Sequence, residues 1–291
     1  MKSLSLHAWW GMLKQMANSW LADYALSMGA ALAYYTLFSL APLLLIVIAV
    51  AGLVFGQDAA RGEITEQLRS LMGDDGAQVV QGLLASVRRP AQGVTATVLG
   101  AVLLFVGATS VFGELQDALD RIWRAPTPMR SSGWFSLVRS RLLSFGMILA
   151  IGFLLTVSLV ASAALSLMGR WLEPVFGGWL ALAALGSAIV GFVLVAVMFA
   201  LIYKVMPRVR VHWKDVWIGA LVTAMLFTLG KWLIGFYLGR SGVVSGFGAA
   251  GSLVVVLLWV YYSAQIFLIG AEFTWVFANT FGSRAPSEVP R

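Results

Sequence analysis

Residues 28–55 read MGAALAYYTLFSLAPLLLIVIAVAGLVF, 28 consecutive positions without a charged side chain. A bilayer core ~30 Å thick is crossed by ~20 helical residues rising ~1.5 Å each, so this stretch is long enough to span one. In hydrocarbon the backbone must satisfy its own hydrogen bonds, and an unbroken apolar run does so only as a helix. Five further long, predominantly apolar stretches follow, at 93–112, 143–168, 179–203, 216–238 and 249–278. The expected fold is therefore an all-α integral membrane protein with six transmembrane helices. Residues 1–291 read as a single membrane domain.

Composition agrees. Of 291 residues 60% are hydrophobic and 11% charged, and mean hydropathy is +0.86, too little polar surface for a soluble domain of this size. There is no cysteine, which excludes disulfides, thiolate chemistry and cysteine-based metal sites. The net charge of +7 is unevenly placed. With six spans, one side carries 13 Lys/Arg against 6 Asp/Glu, and the other carries 6 of each. The positive-inside rule makes the basic side cytoplasmic, with both termini on it. Topology accounts for the basic character, so nucleic acid is not an expected partner.

The segments between spans carry their own patterns. No cleavable signal is evident in residues 1–27, where Trp9, Leu13, Met16, Trp20 and Tyr24 recur at helical spacing. They predict an amphipathic helix on the inner leaflet with its indoles at headgroup level, the alternative being a helix packed on the bundle. The outer segment 56–92 has Ile64, Leu68 and Leu71 on one helical face and Val80, Leu83, Leu84 and Val87 on another, around the breaker Gly73-Asp74-Asp75-Gly76. It reads as a periplasmic helical hairpin capping the bundle. On the inner side, residues 112–123 continue the second span, with Asp117–Arg121 and Asp120–Arg124 at i,i+4 as helix-supporting pairs.

Ionisable and polar groups inside spans are the best pointers to function, because hydrocarbon penalises a charge by ~2.5–3.5 kcal/mol even on insertion scales. Lys231 is the strongest case. Ala220, Ala224, Thr228, Lys231 and Gly235 share one helical face, and small residues mark helix contacts. The sixth span adds Tyr262, Gln265 and Glu272, the last near the cytoplasmic end and at a different depth from Lys231. Glu272 reads either as a proton or ion site or as an interfacial carboxylate. In the first span Tyr35, Ser39 and Pro42 share a face, and Pro42 removes one backbone hydrogen bond. Gly239, Gly242, Gly246 and Gly248 crowd the outer connection between the last two spans and are hinge candidates.

Soluble-type catalysis has little to stand on. The two histidines, His7 and His212, lie in separate segments, and no metal-ligand cluster, phosphate loop or nucleophile with an adjacent base occurs. No enzyme activity, metal or cofactor is expected.

Several segments together resemble the YihY/BrkB family of bacterial membrane proteins. They are Ala30-Ala31-Leu32-Ala33-Tyr34-Tyr35 with Ser39-Leu40-Ala41-Pro42-Leu43-Leu44, and Ala118-Leu119-Asp120-Arg121-Ile122-Trp123. Met206-Pro207-Arg208-Val209 with Trp213-Lys214-Asp215 and Gly219-Ala220 follows, then Gly230-Lys231 through Tyr237, Gly248-Ala249, Trp259 and Gly270-Ala271-Glu272. Two departures are Asp120, where asparagine is common, and Phe247, where tyrosine is common. The resemblance implies six spans and an inner-membrane location with both termini inside. It also implies a link to serum resistance and a proposed role in lipid or glycolipid transport. The family has carried the label "ribonuclease BN", which the absence of a nuclease constellation gives reason to distrust here.

The expected function is a transporter or flippase-like protein, not ATP-driven, for a lipid or other amphipathic envelope substrate. Lys231, Gln265, Tyr35 and Ser39 would line a seam between the first, fifth and sixth spans. The alternative is a non-transporting envelope scaffold or virulence factor. Expected partners are membrane lipids and envelope proteins, with homo-oligomerisation left open.

Overall fold

The apolar runs become long helices in the computed structural model, which describes residues 6–87, 94–126, 142, 145–147, 149–150, 152–154, 179–240 and 251–285. These helices are α1 (Leu6–Ala22), α2 (Ala25–Phe55), α3 (Gln57–Val87), α4 (Val94–Ile122), α5 (Trp179–Val205), α6 (Trp213–Arg240) and α7 (Gly251–Thr280). No strand occurs among the described residues. Among the described residues, four helical segments are long and apolar enough to cross a membrane: Ala25–Leu53, Ala188–Val205, Trp213–Tyr237 and Leu253–Thr280. The expected span at 143–168 lies mostly outside the described residues, with a short apolar helix at Phe145–Leu154.

α7 is the central helix. It packs on α1, α2, α3, α4 and α6, and 56% of its apolar segment is buried, against 28–33% in the other three. Its neighbours approach through glycines. A Cβ at Gly219 would overlap Thr274, one at Gly230 would overlap Ile266, and one at Gly270 would overlap the Thr223 hydroxyl. Small residues allow such contact, and here it sets side-chain hydroxyls against backbone. The Tyr203 hydroxyl donates to the Phe267 carbonyl at 2.8 Å and lies 3.1 Å from Thr223 Oγ1, which donates to Gly219 O at 2.7 Å. One buried junction thus ties α5, α6 and α7 together.

α2 leans on α4 and α7. Ser39 is buried with its hydroxyl 2.9 Å from that of Ser110, and the Pro42 ring packs against Gly107. The helix ends at Gly56 (φ 83°), whose N–H donates to Gly52 O at 3.0 Å. α3 starts at the next residue.

Three local expectations change. First, α1 docks on the bundle. Met12 is buried with Phe273 and Val276, flanked by Trp9, Met16 and Phe281, while Trp10, Leu13 and Tyr24 point outward. Burying this thioether and indole against α7 removes apolar area that headgroup contact would leave half wet. Second, residues 73–76, expected as a break, remain helical. Gln81 Nε2 nevertheless lies 3.4 Å from Thr65 Oγ1, and a straight helix would hold groups 16 residues apart ~24 Å from each other, so α3 bends back on itself. Third, Asp117 and Asp120 do not pair with Arg121 and Arg124. Their partner is Arg208, on the loop after α5, at 3.8 and 3.3 Å. α4 ends at Ile122, and Arg124 adopts a left-handed conformation (φ 51°) that turns its guanidinium away from the i,i+4 position.

Candidate functional site

A cluster of buried polar groups sits where the α1–α2 junction meets α7. α1 closes with Asp23, whose N–H donates to Ser19 O at 2.8 Å, and the left-handed Tyr24 (φ 57°) redirects the chain into α2. The first turns of α2 then run antiparallel along α7. Gln265 Nε2 donates to Ala25 O at 3.2 Å, and Gly29 leaves room for the Gln265 amide and the Tyr261 ring. Two turns further along α7 is Glu272, a spacing that places both side chains on one face.

Glu272 is 0% exposed, and neither carboxylate oxygen has a hydrogen-bond partner. Asp23 and Arg124 are the charged groups that face it. Asp23 Oδ2 lies 3.9 Å from the Arg124 guanidinium and forms no hydrogen bond. Arg124 stacks 4.6 Å over the Trp275 ring. Gln265 Oε1 and the indole Nε1 atoms of Trp20 and Trp123 are also buried without partners. Buried polar groups are ordinarily satisfied, so this concentration of free acceptors and donors is unusual. Beside it opens a cleft of about 380 Å³, lined by Lys14, Gln15, Asn18, Ser19 and Arg124.

A second polar layer braces the first. Arg208 N–H donates to Asp120 Oδ1 at 2.7 Å, Gln116 Nε2 donates to Met206 O at 3.0 Å, and Lys204 Nζ donates to Val211 O at 2.5 Å. Arg284 stacks 5.1 Å over Trp123 and donates to Arg210 O at 3.0 Å. Burial holds the Asp120 carboxyl above its ordinary range, and the Arg208 N–H and guanidinium oppose that rise.

The expected site residues do not form one seam. Gln265 and Glu272 share the buried face just described. Ser39 and Pro42 turn instead to α4, and Tyr35 is exposed beside Tyr34. Tyr262 lies against Gly230 of α6. Lys231 is half-buried and makes no ion pair with another described residue, and the contact stripe assigned to it splits: Ala220 and Ala224 are buried, Thr228 and Gly235 exposed. Gly239 is in the last turn of α6, while Gly242, Gly246 and Gly248 lie outside the described residues. Asp23 and Arg124 were missed as site residues. The available signal was a carboxylate in a two-residue connection between helices, 249 positions before the glutamate it faces.

Comparison with known proteins adds the family. The virulence factor BrkB family matches residues 16–290. The chain is similar to a UPF0761 membrane protein of Psychrobacter sp., 26% identical over 280 residues, covering 92% of this chain and 48% of the relative. It is also similar to UPF0761 membrane proteins of Stenotrophomonas maltophilia (28% identical; 88% and 58% covered) and Alcanivorax borkumensis (30%; 84% and 54%). The chain thus spans about half the length of the curated relatives it matches. No solved structure matches it.

Proposed function

This chain belongs to the virulence factor BrkB family of membrane proteins, and from that premise we propose that it moves a lipid or other amphipathic envelope substrate across the bacterial inner membrane without ATP. In this reading it has six spans with both termini cytoplasmic, α3 is a periplasmic hairpin, and no enzyme chemistry is involved. The observation that carries it is the Gln265–Glu272 face. An apolar bundle encloses polar atoms with no partners, and unsatisfied polar groups in hydrocarbon are costly enough to mark a working pathway. Lys231 supplies a cation with no ion pair among the described residues, beside the exposed apolar side chains Trp232, Leu233 and Phe236, a combination suited to a headgroup phosphate and its acyl chains.

The test is translocation of fluorescent phospholipids in proteoliposomes with an externally added quencher. Wild type, Lys231→Ala and Gln265→Leu are compared, with folding checked by circular dichroism. Protein-dependent movement, reduced in both variants, supports the reading. No movement of any lipid by folded wild-type protein removes it.

The second reading is a non-transporting envelope scaffold. It draws support from α3, whose charged residues Glu66, Arg69 and Asp74 stand exposed at one end of the bundle. A partner that co-purifies with the full chain and is lost when Glu66, Arg69 and Asp74 are all replaced by alanine would favour it. The inner extension of α4 is a poorer docking surface, since Ala118, Leu119, Ile122 and Trp123 are already buried.

A further inference from the structure

We propose that Asp23 and Glu272 form a proton-binding site, holding one proton between two carboxyl groups beside the Arg124 guanidinium. The argument begins with charge. Two ionised carboxylates and one guanidinium leave a net −1 in a place where Glu272 is 0% exposed and the Asp23 side chain 17% exposed. Removing a charge from water without full compensation costs several kcal/mol. One proton makes the group of three neutral. It also turns a carboxylate oxygen into an O–H donor, so that one carboxyl hydrogen-bonds the other and satisfies acceptors that are otherwise free.

Among the described residues no other cation acts on Glu272, and Lys14 lines only the neighbouring cleft. On α6, Asp215 is engaged by the Ser283 hydroxyl at 2.5 Å, two to three turns beyond Glu272, and Thr223 is bonded to Gly219 O. On α5 the Tyr203 hydroxyl is committed to Phe267 O. Beyond α4 stands Arg124, and at the α1–α2 junction Asp23. Gln265, two turns away on the same face of α7, presents a buried amide oxygen without a partner. A metal ion fits less well than a proton. The adjacent guanidinium repels it, and among the described residues no third carboxylate or imidazole joins the pair.

Access is graded in the order a proton needs. The Arg124 side chain is 56% exposed and lines the cleft with Lys14, Asn18 and Ser19; Asp23 lies behind it, and Glu272 behind Asp23. A proton from bulk water enters by that cleft and becomes the O–H of one carboxyl, and it leaves by the same path. Binding alters the contact between the α1–α2 junction and α7, the helix that touches most of the bundle. The site stands independently of the transport reading, because its occupancy is measurable without a substrate.

Infrared difference spectroscopy of the full chain in lipid nanodiscs, titrated with acid and base in H2O and D2O, tests it. The expected result is a carboxylic-acid C=O band that moves to lower frequency in D2O, is lost in Glu272→Gln and is shifted or lost in Asp23→Asn. Glutamine keeps the volume of Glu272, and helicity by circular dichroism confirms that each variant has folded. Should Glu272→Gln misfold, a band unchanged in Asp23→Asn overturns the pair. A folded Glu272→Gln whose titrating C=O band is identical to wild type overturns the assignment, as does absence of any such band. A carboxylate band that shifts with sodium concentration at fixed pH overturns it in favour of a metal cation.

Discussion

Arg208 donates its backbone N–H to Asp120 Oδ1 at 2.7 Å, while its guanidinium Nε lies 3.3 Å from the other carboxylate oxygen. The two contacts differ in kind. A backbone hydrogen bond to a charged carboxylate is worth ~1.5–3 kcal/mol, and it is lost when the acid is removed. The ion pair uses a side chain that is 41% exposed, where such pairs are worth at most ~1 kcal/mol. Asp120→Ala should therefore destabilise the protein more than Arg208→Ala, which keeps the backbone bond. Unfolding of both variants in detergent micelles checks this, and equal losses would mean that the guanidinium carries the contact.

Glycines of the same composition should respond oppositely to the same change. A Cβ at Gly270 meets the Thr223 and Tyr203 hydroxyls at the α5–α6–α7 junction, whereas one at Gly62 on α3 meets nothing within 4 Å. Overpacking a tight contact costs ~1–3 kcal/mol or more, and replacing glycine by alanine in an open helical position gains up to ~1 kcal/mol. Gly270→Ala should lower the thermal midpoint and Gly62→Ala should leave it level or raise it. A tolerated Gly270→Ala would show that the junction yields.

How much of this was legible beforehand depended on range. The 28 uncharged residues from Met28 fix α2 because length and hydrocarbon alone decide it, and the same holds for α5, α6 and α7. Gln265 and Glu272 stood out for a local reason too, as polar residues two turns apart in an apolar helix. Partners were another matter. Asp120 has basic residues one and four positions away yet binds one 88 positions away, because Arg124 leaves the helix through a left-handed turn. Ser39 has a helical neighbour at Tyr35 but bonds Ser110 on another helix. Helical periodicity shows which face a residue occupies, not which helix covers that face.

The docking of α1 gives its two faces different consequences. Met12 is 1% exposed against Phe273 and Val276, while Trp10 is 70% exposed. Truncating a buried methionine to alanine costs ~2–5 kcal/mol. Met12→Ala should speed hydrogen exchange across Leu6–Ala22, and Trp10→Ala should leave it near wild type in micelles. Equal exchange in both would return α1 to the membrane surface.

Asp120 makes the stability of the inner layer depend on pH, with a sign that follows from its surroundings. It lies past the apolar part of α4, its carboxyl is pushed up by burial, and Arg208 counters that push. A raised acid in the folded state means that the folded chain binds the proton more tightly than the unfolded chain, whose aspartate titrates near ~3.9. The associated stability is fully present below that unfolded value and is lost as pH rises through the folded one. Thermal midpoints measured from acid towards neutral should fall by a component that Asp120→Asn removes. In Arg208→Ala the opposing charge is gone, so the same component should move to higher pH. If the guanidinium rather than burial governed the carboxyl, the wild-type component would have the opposite sign, with midpoints rising as pH increases.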